Sequence, residues 1–172
     1  FLIVTFSPKK GDLFDQDNLS ILGSLREDLM KIQGIQSVLS MLDVPLLYSP
    51  KIEITELTKE LKTLLSEDVD KSLVKQEFLN SPIYKDVILS ADGKTTGMLA
   101  TLTLDETYLQ LVTERDDLRL LRDTEGLTAV QQQTLDEVSL EFLNYRTAKA
   151  EIDYQRVAQI RTLIENYRYG AT

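Results

Sequence analysis

The chain has 172 residues, of which 42% are hydrophobic and 27% charged, and it carries a formal net charge of −9. This composition is typical of a folded protein with a sizeable core, and the acidic balance argues against nucleic acid and anionic lipid surfaces as partners. Because Cys and His are absent from the sequence, the usual zinc sites, thiol nucleophiles and Ser-His or Cys-His catalytic pairs are excluded within it.

The first quarter of the chain predicts a strand, a helix and a second strand. Residues 1–6 have the length and β-branched content of a buried strand. A helix is predicted next, with Asp17 or Asn18 as its cap and one apolar face that comprises Leu19, Leu22, Leu25, Leu29 and Ile32. Residues 35–42 form the second predicted strand, and the short connections of this βαβ unit predict that the two strands are parallel.

Two short helices are predicted after an irregular stretch. They cover residues 55–65 and 70–79, and Asp70 is the predicted cap of the second. The apolar face of the second helix is predicted to comprise Leu73, Val74, Phe78 and Leu79.

A β-hairpin is predicted over residues 81–104. Asp92-Gly93 lies between two apolar runs, and Gly supplies the positive φ that such a turn needs without strain. The second strand of the hairpin has the period-2 pattern of a mainly buried face, formed by Met98, Ala100, Leu102 and Leu104.

From Asp105 onward the sequence predicts helices. The first covers residues 106–122 and ends at the break before Gly126, and the second begins at a capping box of Thr128 and Gln131 and runs to about residue 167. Its apolar residues follow 3-4-3 spacing in two sets that are out of register by one residue: Leu135, Val138, Phe142 and Tyr145, and then Val157, Ile160, Ile164 and Tyr167. The first half is predicted to pair with the preceding helix as an antiparallel hairpin, and the second half to lie on the sheet.

Few residues suggest bond-making chemistry. Gly93-Lys94-Thr95 is similar to the end of a phosphate-binding loop, but Ile88 stands where that motif needs a further Gly, and a strand is predicted where it needs a helix. The acidic residues within 67–70 lack the Gly of a calcium loop, so a linker and helix cap is the favoured interpretation. Asp12, Asp15 and Asp17 precede a helix start, where negative charge is favourable anyway. Four tyrosines are candidates for a ligand surface, although core or interface is the commoner role: Tyr145, Tyr154, Tyr167 and Tyr169.

Three motifs carry a resemblance to a known family. They are LDVPLL at residues 42–47, SPIY at 81–84 and LSADGKTT at 89–96. In sequence and order they resemble the periplasmic porter region of exporters in the RND (resistance-nodulation-division) superfamily, and above all its MMPL-like branch of hydrophobe and lipid exporters. The resemblance covers residues 1–104 and, more loosely, 150–170.

This resemblance implies a ferredoxin-like βαββαβ domain of a proton-driven transporter in the inner membrane, facing the periplasm. The proton-relay acids of that family lie on membrane helices, which this sequence does not contain, so none is carried over. We therefore expect no enzyme and no catalytic, cofactor-binding or metal-binding residue. The implied partners are the rest of the transporter chain, with its membrane helices and second porter domain, a further copy in a homo-oligomer, and a hydrophobic or lipid-like substrate.

The predicted architecture is α+β, with a ferredoxin-like porter core and a projecting helical hairpin. Residues 1–104 form the predicted core, 105–150 a helical hairpin insertion and 151–172 a helix that returns to the core. The closing strand of the family pattern would follow residues 170–172, so the sequence suggests a fragment of a longer chain. The predicted function is a share of the substrate path or of subunit contacts in the exporter. The alternative is a coiled-coil module, formed by 106–167, that docks a partner protein.

Overall fold

The computed structural model describes residues 1–47, 62–66, 69–85 and 87–172, and its architecture is α+β, as predicted. The chain forms two compact units, of which one is Phe1–Leu102 with Gln159–Thr172 and the other is Thr103–Ala158. The described strands are β1 (Leu2–Phe6), β2 (Ile35–Leu39) and β3 (Thr96–Leu102). The described helices are α1 (Gln16–Met30), α2 (Lys71–Asn80), α3 (Glu106–Thr124) and α4 (Ala129–Tyr167).

The sheet of the first unit has the strand order β1-β3-β2, and β3 is antiparallel to both of its neighbours. Strands β1 and β2 therefore run in the same direction, as predicted, but β3 lies between them. The register places Met98 opposite Val4, and Ala100 opposite both Leu2 and Val38. These residues form the core face of the sheet, because side chains on directly opposed positions of neighbouring strands point to the same side.

Helix α1 begins two to three residues earlier than the sequence predicts. Its N-cap is Asp15, whose carbonyl accepts from the Leu19 N–H at 3.0 Å, so the prediction of Asp17 or Asn18 was wrong. The Asn18 side chain is engaged elsewhere, because its amide donates to the carbonyls of Lys10 and Asp12. Asn18 thereby holds the preceding loop against the first turn of the helix.

The predicted hairpin of residues 81–104 is only partly present. Its turn is formed, with Gly93 at φ +69° and the Ser90 N–H donating to the Thr95 carbonyl at 2.9 Å. Its first strand is not formed, because β1 occupies one edge of β3 and β2 occupies the other edge from Leu99 onward. A single bridge from Leu89 to Thr96 is the remaining pairing with β3 among the described residues. The second strand ends at Leu102, which leaves the predicted core residue Leu104 exposed.

Helix α2 has the predicted cap, since an Asp70 carboxylate oxygen accepts from the Ser72 and Leu73 N–H groups. Val74 and Phe78 are fully buried, but the Leu73 side chain is exposed, and Glu77 takes the buried position instead. Glu77 is held there because its carboxylate accepts from the Leu47 N–H at 2.6 Å. Of the helix predicted at 55–65, residues 62–65 are in a turn or irregular, and the remainder lies outside the described residues.

The core of the first unit is built from one face of the sheet, α1, α2 and the last turns of α4. Its largest fully buried side chains are those of Phe6, Phe78, Leu13, Leu22, Leu29, Met41, Leu42, Leu46 and Met98. Ile160 of α4 is buried in the same cluster, and Leu163, Ile164 and Tyr167 pack against it. The C-terminal part of α4 therefore belongs to the sheet core, as the second set of apolar residues predicted.

The second unit is a helical hairpin of α3 and the first part of α4. Leu111, Val138 and Phe142 are buried together, with Tyr108 and Tyr145 packed at their border. The predicted antiparallel pairing of these two helices is thus confirmed. Gly126, at φ +85°, lies just past the end of α3, and the predicted capping box is formed: the Thr128 N–H donates to Gln131 at 2.9 Å.

Candidate functional site

The face of the sheet opposite the core carries an apolar row across all three strands. Ile3 lies opposite Leu99, which in turn lies opposite Leu39, so the three side chains share one face. They are 65%, 37% and 47% exposed, respectively. We call Ile3, Leu99 and Leu39 the open-face row. The sequence pattern does not reveal this row, because residues 1–6 are apolar on both sides of the strand and therefore predict a wholly buried strand.

A groove of about 300 Å³ runs beside β1, on the side away from β3. One wall is formed by residues 3–6 of β1, and the other by Ile164, Tyr167 and Thr172 of the C-terminal segment. Leu25 also lines the groove. The groove along the strand edge is lined mainly by apolar side chains, Arg168 is the charged residue among them, and its lining residues include no nucleophile–base pair of the kind that a catalytic pocket needs.

Tyr167, which lines this groove, also contacts α1. Its hydroxyl donates to the Asp28 carboxylate at 2.5 Å. Burial, and then the hydrogen bond to Asp28, raises the pKa of Tyr167 to about 12. Hydrogen bonds from Lys31 and from Tyr167 lower the pKa of the Asp28 carboxyl. At pH 7 the Tyr167 phenol is therefore neutral and the Asp28 carboxylate is charged. This pair suits an anchoring contact better than proton transfer.

In the second unit, Asp105 is the centre of a polar network at the start of α3. Its carboxylate accepts from the Tyr108 N–H at 2.9 Å and from the Tyr145 hydroxyl at 2.8 Å, and it forms an ion pair with Lys149 at 2.8 Å. Desolvation raises the pKa of Asp105, but the hydrogen bonds from Lys149, Tyr108 and Tyr145 outweigh it and leave the pKa below its usual value. This network ties α3 to α4, so its role is structural.

The acidic residues before α1 are also committed to local structure. Asp12 accepts from the Phe14 N–H at 3.0 Å and forms an ion pair with Lys75, whose hydrogen bond lowers the pKa of the Asp12 carboxyl. Asp15 accepts from the Asp12 N–H at 2.7 Å. Among the described residues, no group of three or more acidic side chains is arranged to hold a metal ion. Residues 67 and 68 of the other acidic cluster lie outside the described part of the chain.

The remaining candidates from the sequence do not form a site. Gly93-Lys94-Thr95 lies in the turn before β3 and not before a helix, so a phosphate-binding loop is excluded. Tyr145 and Tyr167 belong to different units and bond to different aspartates, whereas Tyr154 and Tyr169 are exposed.

The described residues include no helix that is both long and apolar enough to cross a membrane. No protein-family model, curated protein or solved structure matches the chain. Any functional conclusion consequently depends on the fold, the open-face row and the exposed surfaces described above.

Proposed function

We propose that this chain is an extracytoplasmic porter domain of an RND-type exporter, of the MMPL-like kind. Its task is to form subunit contacts or part of the substrate path, without bond-making chemistry of its own. The rest of the transporter chain is its main partner, and the transporter acts in the inner membrane with this domain facing the periplasm. The motifs at residues 42–47, 81–84 and 89–96 are the basis of the family proposal.

The strand order supports the ferredoxin-like part of this proposal. In a split βαβ arrangement, two parallel strands joined by a helix are separated by a third, antiparallel strand. Strands β1 and β2, joined by α1 and separated by β3, have this arrangement. The final turns of α4 pack on the same core, where the second helix of a βαββαβ unit would lie.

The open-face row is the observation that carries the contact function. Three large aliphatic side chains in register across a sheet give an apolar strip that is costly to leave in water, at about 25 cal/mol per Å². A neighbouring subdomain or an apolar substrate would remove that strip from water. Charged groups do not occupy the row, so the contact that it favours is an apolar one.

Two measurements test this proposal. The first is the coding sequence on both sides of this segment: apolar spans of about 20 residues, some with acidic residues inside them, are expected. A gene that encodes no membrane helix before Phe1 would contradict the proposal.

The second measurement is export by the full-length exporter with Leu99→Thr, a substitution that shortens the row without adding charge. We expect export to fall several-fold while the protein level stays unchanged. Thr101→Ser, on the same strand and face, is the matched control and should leave export intact.

A second candidate function follows from an exposed stripe on α4. Leu140, Leu143 and Tyr154 are large, exposed and spaced so that they lie on one helical face, away from the buried Val138 and Phe142. The stripe supports a helical module that docks a partner protein.

Deletion of residues 106–149 distinguishes the exporter function from the docking function. If the remaining residues fold and the parent transporter still exports, the proposed docking function is contradicted. Loss of partner binding with Leu140→Glu, but not with the exposed neighbour Glu141→Gln, would support it.

A further inference from the structure

We propose that Asp92 is a latent site of isoaspartate formation, and that the turn of residues 90–95 prevents this reaction for as long as the turn is closed. The reaction modifies the backbone of the chain itself, so it is expected whichever of the two proposed functions is correct. Three features of the turn support it: the residue that follows Asp92, the hydrogen bonds around the two reacting groups, and the packing of Gly93.

Isoaspartate forms when a backbone amide nitrogen attacks the side chain of the aspartate before it. Here the nitrogen of residue 93 would lose its proton and form a bond to Cγ of Asp92, while one carboxyl oxygen leaves as water, so that a five-membered succinimide ring results. Water then adds to one of the two ring carbonyls and breaks its bond to nitrogen. One direction of opening restores aspartate, and the other leaves the main chain running through the side chain as isoaspartate. The reaction consumes nothing but water.

Asp92 is the residue of this chain where the reaction meets the least steric resistance. It is the only aspartate or asparagine in the sequence that a glycine follows. A side chain on the following residue hinders the attack, and glycine has none and also permits the backbone rotations that ring closure needs. The Asp92 side chain is exposed, so water can reach it.

The attacking nitrogen is engaged in the closed turn. The Gly93 N–H donates to the Ser90 carbonyl at 2.8 Å, which is the bond that defines a β-turn. The succinimide has no N–H at this position, so this bond must break before the ring can close. Gly93 is also buried against α2, because a Cβ added to it would lie 3.4 Å from Cδ2 of Leu79. Rotation of the Asp92-Gly93 peptide therefore requires the turn to move away from the helix.

The carboxyl group that would be attacked is engaged as well. It accepts from the Ser90 hydroxyl at 2.7 Å and from the Lys94 N–H at 3.1 Å. The bond from Ser90, and then that from Lys94, lower the pKa of the Asp92 carboxyl. A carboxylate cannot release an oxygen as water until it has gained a proton, so both bonds favour the unreactive form. The Ser90 hydroxyl oxygen also accepts from the Thr95 N–H at 2.9 Å, which connects the two halves of the turn.

Isoaspartate at residue 92 would disturb the entry to the central strand of the sheet. It inserts one additional methylene group into the main chain of the turn that leads into β3. Beyond this turn, the Ile88 carbonyl accepts from the Gly97 N–H at 3.1 Å and from the Thr96 hydroxyl at 2.9 Å. A longer turn shifts these donors relative to their acceptor, so the start of β3 should open more readily in the modified chain.

The test incubates the whole chain at neutral pH in water enriched in the heavy oxygen isotope, both folded and in guanidinium chloride. Ring opening adds one heavy oxygen to the peptide that contains residue 92, and mass spectrometry measures it. Ser90→Ala removes the hydroxyl that bonds to Asp92 and Thr95. Ser40→Ala is the matched control in the same unit, since its hydroxyl also donates to an aspartate, Asp43 at 2.7 Å, and accepts from a backbone N–H, that of Leu42 at 3.1 Å.

We expect the reaction at residue 92 to be about tenfold or more slower in the folded chain than in guanidinium chloride, because it requires local opening of the turn. Ser90→Ala should raise the folded-state rate several-fold over that of Ser40→Ala, and all three chains should react equally fast in guanidinium chloride. Equal rates in the folded and denatured chains would overturn the proposal. So would a Ser90→Ala chain that reacts no faster than Ser40→Ala, or a denatured chain that does not react at residue 92.

Discussion

Replacement of Asp105 by Ala should destabilise the start of α3 more than any other single carboxylate change in the helical hairpin. The substitution removes three interactions at once: the cap to the Tyr108 N–H, the bond from the Tyr145 hydroxyl and the ion pair with Lys149. Loss of an N-cap costs about 1 kcal/mol. A hydrogen bond costs about 1 kcal/mol, and an ion pair that is partly open to solvent about 0.5 kcal/mol. The expected total is about 2–3 kcal/mol.

Local opening is the quantity to measure, because a chain with two units need not unfold in one step. Amide exchange in the first turns of α3, read by NMR, reports the opening free energy there directly. Asp105→Asn keeps a competent cap and should show about half of the destabilisation of Asp105→Ala. Tyr145→Phe should show only the smaller part that comes from its hydroxyl. Asp116→Ala, which removes an exposed carboxylate from the same helix, is the control and should change little.

The pH dependence of the same amides gives a second test. The pKa of Asp105 in the folded chain is lower than its ordinary value, so the folded state binds fewer protons at this group than the unfolded state does. The stabilisation is therefore complete above roughly pH 5 and is lost as the pH falls through the folded pKa. Asp105→Asn should lack this acid-dependent part. Equal opening free energies for Asp105→Ala and the unsubstituted chain would refute the role given to the network.

Three further outcomes are expected. Tyr167→Phe removes the hydrogen bond to Asp28 and should lower the unfolding free energy by about 1 kcal/mol; absorbance at 295 nm should show that the substitution removes a tyrosine whose pKa is raised to about 12. Gly93→Ala should cost about 1 kcal/mol in denaturant unfolding, because its φ of +69° is strained for any residue with a Cβ; no loss would mean that the turn relaxes. Glu77→Leu should cost about 1–3 kcal/mol by leaving the Leu47 N–H without its acceptor, whereas Glu77→Gln should cost less.

Local signals in the sequence predicted the helical elements well. The cap at Asp70, the capping box of Thr128 and Gln131 and the break at Gly126 are all present. Each of these depends on residues within a few positions of one another, which is why a single sequence suffices. The change of register between the two apolar sets of α4 lies just before Ala158, where the second unit ends.

Pairing between distant strands could not be predicted in the same way. The Asp92-Gly93 turn indicated a hairpin, and the turn is formed, but the strand expected before it is displaced by β1 and β2. Local turn chemistry cannot show which distant segments compete for the edges of a strand. The open-face row was missed for a related reason: period-2 patterning is uninformative where a strand is apolar on both faces, as at residues 1–6.

The exporter assignment, its location and its partners stay predictions, because they depend on motifs of turns and strands and not on a catalytic signature. The polar clusters around Asp105, Asp28 and Asp12 are each satisfied by neighbouring side chains and backbone groups. The open-face row and the stripe on α4 are exposed apolar features.

The central position of β3 also governs the order in which the chain can fold. Leu2 of β1 and Val38 of β2 both pair with Ala100 of β3, so neither outer strand has a pairing partner in the sheet until β3 is in place. During synthesis from the N-terminus, β1, α1 and β2 therefore emerge with no possibility of pairing until the ribosome has released the residues of β3. Contacts of such long sequence separation are slow to form. The apolar β1 would spend that interval exposed, which makes the nascent chain a natural client for chaperones that bind extended apolar segments.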